Sequence, residues 1–231
     1  MIVTQAQLLS KEQLTPYVYK VLLQPDTAVS FKAGQYLQVV MGAQDKRPFS
    51  IANPPYQSDV IELHIGATPA NPYAYEVMQK LEQDNALTLE IAHGTAYLQE
   101  SSLDAILIAG GTGYSYTKSI LLDILKNQPN RKVCLYWGGK KVTDLYETPQ
   151  LQALADAHST FSYIPVVEHP DDSWAGKRGI VHNAVMQDVK EFSNKQVYVA
   201  GRFEMAKVIK DDLLPLGLLP ENMLGDAFAF I

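Results

Sequence analysis

One cysteine in 231 residues, no basic cluster and no apolar run of membrane-spanning length are what the sequence most clearly withholds. A lone Cys134 forms no intrachain disulfide and holds no iron–sulfur cluster, so any redox chemistry needs another carrier. Acidic residues outnumber basic ones, 25 to 19, for a formal charge of −6. Nucleic acids and anionic membranes are read through clustered Lys and Arg, so neither is an expected partner. The opening "MIVTQAQLLSKEQ" lacks a basic start followed by an apolar stretch, and the expected location is cytoplasmic. The five histidines, His64, His93, His158, His169 and His182, are scattered without ligand spacing. No metal site is therefore expected, and without a G-x-S-x-G elbow neither is Ser-His-Asp hydrolysis.

What is present is 47% hydrophobic and 19% charged, a normal balance for a chain with a sizeable core in one large or two ordinary domains. Residues 1–100 carry short alternating or β-branched runs, "YVYKVLLQ", "QYLQVVM", "VIELHIG" and "LTLEIA", cut by Gly, Pro, Asn and Asp, which predicts a small antiparallel Greek-key β-barrel. One helix is expected within it at "NPYAYEVMQKLEQ", with Asn71 as cap, Pro72 in the first turn and Ala74, Val77, Met78 and Leu81 as its apolar stripe. Residues 101–231 change rhythm to apolar strand then helix, four times, the pattern of an α/β domain with a parallel sheet.

The segment "AILIAGGTGYSYTKSIL" runs a buried-type strand into a glycine turn and a helix, yet it matches neither common phosphate-loop pattern. Thr112 and Thr117 stand where a P-loop needs glycine, and Tyr116 stands in the third glycine position of a dinucleotide fingerprint. Gly110, Gly111 and Gly113 still permit positive φ and close approach, and free N–H groups at a helix start favour a pyrophosphate, with Thr112 and Ser115 as further donors. Strand-to-helix turns also carry glycine for geometry alone. The missing third glycine predicts looser packing of helix on strand. In an open parallel sheet the ligand crevice lies at the carboxyl ends of the strands, which places Lys140 after "YWGG" and Arg202, Glu204 and Met205 of "AGRFEMA" beside it. No acidic residue closes the second strand, so NADH and NADPH stay undistinguished.

"DKRPFSIANPP" sets a hydroxyl, Ser50, beside the rigid Pro48 and the apolar Phe49; taken singly it also reads as an edge strand leaving a turn. Together with the GGTG turn, "ELHIGA", "VAGRFEMAK" and the terminal "GDAFAFI", it resembles the NAD(P)H–flavin reductases of enteric and luminous bacteria, within the ferredoxin–NADP reductase-like superfamily. The resemblance spans nearly the whole chain. It implies that Arg47, Pro48, Phe49 and Ser50 line the isoalloxazine site with Ser50 near N5, that His64, Ile65 and Gly66 continue that wall, and that Gly111, Thr112, Gly113 and Ser115 hold the nicotinamide nucleotide. Tyr116 and Ala200 depart from the wider superfamily, which has a proline and a cysteine there. A terminal aromatic over the flavin is implied, with Phe228 and Phe230 as candidates.

The same resemblance makes NADH or NADPH the reductant and FMN, riboflavin or FAD an exchangeable substrate, because "GATPANPYAYEVMQKLEQDNA" has no basic or aromatic seat for an adenylate half. Ser50 and Asp226 are the candidate catalytic residues, Asp226 by tuning charge; a carboxylate there also caps turns. The expected partners are these small molecules and a reduced-flavin acceptor such as luciferase or a monooxygenase, and the expected state is a monomer. Two rival readings stand beside this one: a reductase that keeps its flavin and serves ferric chelates or a protein, and a non-catalytic sensor of the pyridine-nucleotide pool.

Overall fold

The computed structural model describes residues 2–231. Its first half is a six-stranded antiparallel sheet made of β1 (Ile2–Gln13), β2 (Val18–Pro25), β3 (Tyr36–Val40), β4 (Lys46–Ser50), β5 (Ile61–Gly66) and β6 (Ala86–His93), in the order β4-β3-β6-β1-β2-β5. Alternate residues of these strands point into a barrel core that includes Leu23, Leu37, Val39, Leu63, Ile65 and Leu89. β1 is the longest strand and was not among the expected ones, because "IVTQAQLLSKEQ" is mostly polar: only two of its residues are buried. Its strand state comes from pairing on both sides, with β2 and β6, not from its own pattern. β4 lies at the sheet's end, where Pro48 leaves no missing ladder bond.

α1 (Pro72–Asp84) closes one end of the barrel and buries Ala74, Val77, Met78 and Leu81, the stripe its spacing predicts. Asn71 precedes it, but its side chain makes no cap bond. The helix ends at Asn85 in the left-handed region, φ 51°, a conformation Asn tolerates.

The second half is a parallel sheet of β7 (Asp104–Gly110), β8 (Val133–Gly139), β9 (Phe161–Val167), β10 (Lys177–Arg178), β11 (Lys195–Ala200) and β12 (Met223–Leu224), ordered β10-β9-β8-β7-β11-β12. α2 (Tyr114–Asn127) and α3 (Thr148–Ala157) cover one face, and α4 (Val181–Asp188) and α5 (Phe203–Leu213) the other, so two cores flank the strands. The central strands β7, β8 and β11 are buried on both faces, which is why they read as apolar runs.

α2 is the element that joins the halves. The apolar side formed by Ile120, Leu121, Ile124 and Leu125 is buried as expected, but Tyr116, Thr117 and Ser119 are buried too, against the barrel. Ser119 Oγ donates to the carbonyl of Asn53 at 2.8 Å, and Tyr116 Oη to that of Ala96 at 2.6 Å. Gly34, at φ +93°, lets the loop between β2 and β3 lie on Tyr116 and Ile120; a Cβ there would sit 3.0 Å from each ring or methyl. None of the described helices is long and apolar enough to cross a membrane.

Candidate active site

The glycine turn, Gly111–Gly113, is a single 3-10 turn between β7 and α2 with no side-chain cap at either helix start. Its glycines have three different jobs. Gly111 sits at φ +55° with open space where a Cβ would point, so the backbone faces a void that a ligand can enter. Gly113 has ordinary helical φ, but a Cβ would lie 2.4 Å from the carbonyl oxygen of Ala200. The close helix-to-strand approach expected to be relaxed by Tyr116 is therefore kept, one turn earlier and against β11. At Gly110 a Cβ would meet Met205 Sδ at 2.8 Å, and at Gly201 the Met205 methyl at 2.4 Å, so Met205 is wedged against the strand ends.

Trp137, at the end of β8, fixes the turn from below: its Nε1 donates to the carbonyl of Gly111 at 2.9 Å. The same carbonyl also accepts from the Tyr114 backbone N–H, so the turn is fixed from two sides. Thr112 lies beside the barrel, with its Cγ2 3.5 Å from where a Cβ of Gly66 would be. The carboxyl end of β5 and the phosphate-type turn thus share one edge. Ser115 does not join them: it is buried on α2, and its Oγ has no partner and no solvent contact.

On the barrel side, Ser50 is paired across the ladder with Tyr36, and Tyr36 with His93, so all three point to one face. Tyr36 and His93 stack at 5.6 Å and 19°. A Cβ on Gly94 would touch both Tyr36 and Asp226 Oδ1 at 3.0 Å, which sets the C-terminal carboxylate beside this row. Burial raises Asp226 to about 6, a neutral-to-ionised range suited to tuning charge near neutral pH. No hydrogen bond engages the Ser50 hydroxyl among the described residues.

Other expected wall residues are committed elsewhere. The Arg47 guanidinium donates to both carboxylate oxygens of Asp45 (2.9 and 2.6 Å) and to one of Glu76 (2.6 Å), lies over the Tyr73 ring at 5.0 Å and is 7% exposed. It ties β4 to α1. Pro48 is exposed, and Phe49 packs on the barrel core. Ile65 is fully buried in that core and has only backbone to offer. His64 faces the other way, into the junction between the halves, where its Nε2 meets Glu62 at 2.7 Å and its Nδ1 meets Tyr146 Oη at 3.0 Å. Glu62, His64 and Glu147 place ligand-type atoms within 4.8 Å of one another, the other four histidines lying outside this group. The cation among them is the Lys118 ammonium, 2.7 Å from a carboxylate oxygen of each glutamate. Burial alone would raise Glu62, but the His64 hydrogen bond and Lys118 charge outweigh it and lower the carboxyl to about 2. Glu147 is lowered in the same way, against its burial, chiefly by Lys118.

At the strand ends of the second half, Lys140 and Arg202 are exposed, Arg202 immediately preceding α5 with no side-chain cap bond and Glu204 lying in the helix's first turn. Phe228 packs into the core beneath α5, against Gly225. Phe230 is 76% exposed and meets Phe203 edge-on at 5.8 Å. Tyr36 and Trp137 were not singled out from sequence: each is an aromatic whose place at the site depends on which strand or turn it reaches.

An antiparallel barrel-like sheet followed by a parallel sheet, meeting at a glycine turn, is the architecture of the ferredoxin–NADP reductase-like oxidoreductases. Among solved structures, the chain superposes on a cytochrome P450 reductase from Amycolatopsis with a TM-score of 0.88 at 23% identity, over 97% of this chain and 69% of that one. A ferredoxin NADP+ reductase from Neisseria gonorrhoeae with bound FAD and NADP matches with a TM-score of 0.78 at 19% identity, over 93% and 92%. Residues 107–211 match the family described as oxidoreductase NAD-binding domain. The NAD(P)H-flavin reductase of Aliivibrio fischeri is 43% identical over 96% of this chain and 97% of its own length, and that of Vibrio harveyi 42% over 98% and 99%. The chain belongs to the NAD(P)H-flavin reductase family and is an NAD(P)H-dependent flavin reductase.

Proposed function

We propose that residues 101–231 hold NADH or NADPH and residues 1–100 a diffusible flavin, and that the two ligands meet between Gly66 and Thr112. The observation that carries this is the apposition of those two residues, barrel strand end against glycine turn. Bound together, the nicotinamide supplies a hydride from C4 and the flavin accepts it at N5, which requires stacked rings in a dry cleft. The chain positions. Gly111, Thr112 and the turn's N–H groups hold the pyrophosphate; Lys140 and Arg202 add positive charge at its edge, while Met205 and Glu204 shape the crevice. Gly66, by its backbone, and Ser50 face the ring edge, with the Ser50 hydroxyl holding or relaying a proton at N5. Asp226, beside Tyr36, adjusts the charge of that face.

Arg47, Phe49, Ile65 and His64 act through the backbone and the strands they anchor. Ser115 backs the turn from within α2, and Phe230, next to Phe203, is the terminal aromatic free to move over a ring. Riboflavin and FMN, with FAD bound by its ring, are taken as substrates and released reduced to an acceptor such as luciferase, a monooxygenase or ferric iron. The protein works as a cytoplasmic monomer.

The test is direct. Ligand-stripped protein is colourless and oxidises NADH or NADPH only when riboflavin, FMN or FAD is added; a yellow protein that turns over without added flavin means a retained cofactor, and no turnover at all means a sensor. Ser50→Ala lowers turnover at least about tenfold, about 1.4 kcal/mol, with little change in flavin affinity. Unchanged turnover removes Ser50 from the chemistry.

A further inference from the structure

The junction between the halves carries a continuous chain of contacts that the chemistry above does not use. It begins at the glycine turn, whose Gly111 carbonyl is held by Trp137. The indole stacks on Tyr114 at 3.9 Å and 13°, and Tyr146 meets both rings edge-on. Tyr114 Oη donates to Glu147 Oε2 at 2.8 Å. Glu147 pairs with Lys118, Lys118 with Glu62, and Glu62 with His64, the last two on β5. Lys20 on β2 adds a second cation 3.6 Å from Glu147. Two residues beyond His64, the same strand ends at Gly66, against Thr112 of the turn. The chain of contacts therefore closes a ring: turn, aromatic stack, ion pairs, β5, and back to the turn.

The central ion pairs are largely buried: the Lys118 side chain keeps 12% of its exposure, Glu62 12% and Glu147 6%. An ion pair buried this deeply is seldom retained for stability, since an apolar replacement of similar volume does as well, whereas its geometry is sharply defined by short charge-assisted bonds. Exposed pairs of this chain, such as Lys80 with Asp84 along α1, have no such constraint.

We infer that Lys118 is a positioning residue for hydride transfer: clamped between Glu62 of the barrel and Glu147 of the nucleotide half, its ammonium fixes the spacing of Gly66 and the glycine turn, and so the stacking of nicotinamide on flavin. The inference rests on the proposed seats. It predicts that loss of Lys118 acts on the step in which both rings are bound, because misplacement by about 1 Å is enough to cost a hundredfold in a reaction governed by orientation.

The experiment is stopped-flow mixing of NADH or NADPH with the enzyme and riboflavin, following flavin bleaching and the long-wavelength charge-transfer absorption that stacked nicotinamide and flavin rings give. In Lys118→Met the transfer rate and the charge-transfer amplitude fall at least about tenfold, the separate dissociation constants of riboflavin and of oxidised nucleotide stay within about twofold, and Lys118→Arg restores most of the rate. Lys80→Met changes none of these. Lys118→Met leaves two buried carboxylates short of a cation, so the triple variant Glu62→Gln, Lys118→Met, Glu147→Gln supplies the same test without a buried unpaired carboxylate, the only charge left over being the partly exposed Lys20 ammonium. Should both fail to fold, Tyr114→Phe decides, since it keeps the stack and every ion pair and cuts only the link to Glu147; its transfer rate falls at least about threefold. Wild-type rate and amplitude in whichever of these variants folds, with only the melting temperature lowered, overturn the inference. If the wild-type protein itself oxidises no nucleotide in the presence of flavin, it is the proposed function that fails, not this coupling.

Discussion

The two sides of the cleft are built from different material. The side proposed to take the nucleotide is backbone: a glycine turn with open space at Gly111 and its carbonyl held by Trp137 and by the Tyr114 N–H. The barrel side is side chains, and most of them are already satisfied, Arg47 by Asp45 and Glu76, His64 by Glu62 and Tyr146. A backbone seat serves any pyrophosphate, while a seat with few free polar groups holds a ring by shape and releases it. The contrast fits a tightly oriented nucleotide and a flavin that comes and goes.

Substitutions on each side test that contrast. The largest effect is expected at Gly113→Ala, where the new methyl meets backbone atoms of Ala200 at 2.4 and 2.6 Å. Overpacking of this kind costs about 1–3 kcal/mol, and displacement of the turn raises the nucleotide KM at least about tenfold with the flavin KM little changed, measured by steady-state kinetics. Arg47→Met comes next. It strips Asp45 and Glu76 of their partner and lowers stability by about 1–2 kcal/mol, read as a shift in urea midpoint; a flavin KM raised more than tenfold at unchanged stability would mean that the barrel seat uses this charge after all.

Gly111→Ala tests the open position of the same turn. It meets no atom, and its cost is the left-handed φ of +55°, about 1 kcal/mol, so the melting temperature falls less than for Gly113→Ala. The smallest effect concerns Asp226. Burial raises it from 3.8 to about 6, so folding favours its protonated form: the contribution to stability is complete below about pH 4 and is lost as pH rises through about 6. Asp226→Asn flattens that step, of about 1 kcal/mol after screening by solvent, in denaturation curves taken across this range.

Legibility followed the type of signal. The α1 stripe and the four strand–helix repeats were readable because burial of one face repeats at a fixed spacing. β1 was not, since a polar strand is made by its neighbours. The glycine turn, Ser50, Ser115 and His64 all stood out by residue type or resemblance, yet the Ser115 hydroxyl is buried without a partner and His64 lies in the junction against Tyr146. Lys118 carries no local signal, because its partners Glu62 and Glu147 lie 56 and 29 residues away.

By itself the sequence determined the two-sheet architecture and the turn between β7 and α2, because backbone freedom and hydrophobic period are local properties of the chain; the redox family was legible only through the resemblance of its motifs. Only the tertiary structure decided which glycine opens a void and which permits close packing, which wall residues are free, and that a lysine bridges the halves. Those depend on what a second segment, distant along the chain, brings within a few ångströms, and no local pattern encodes that distance.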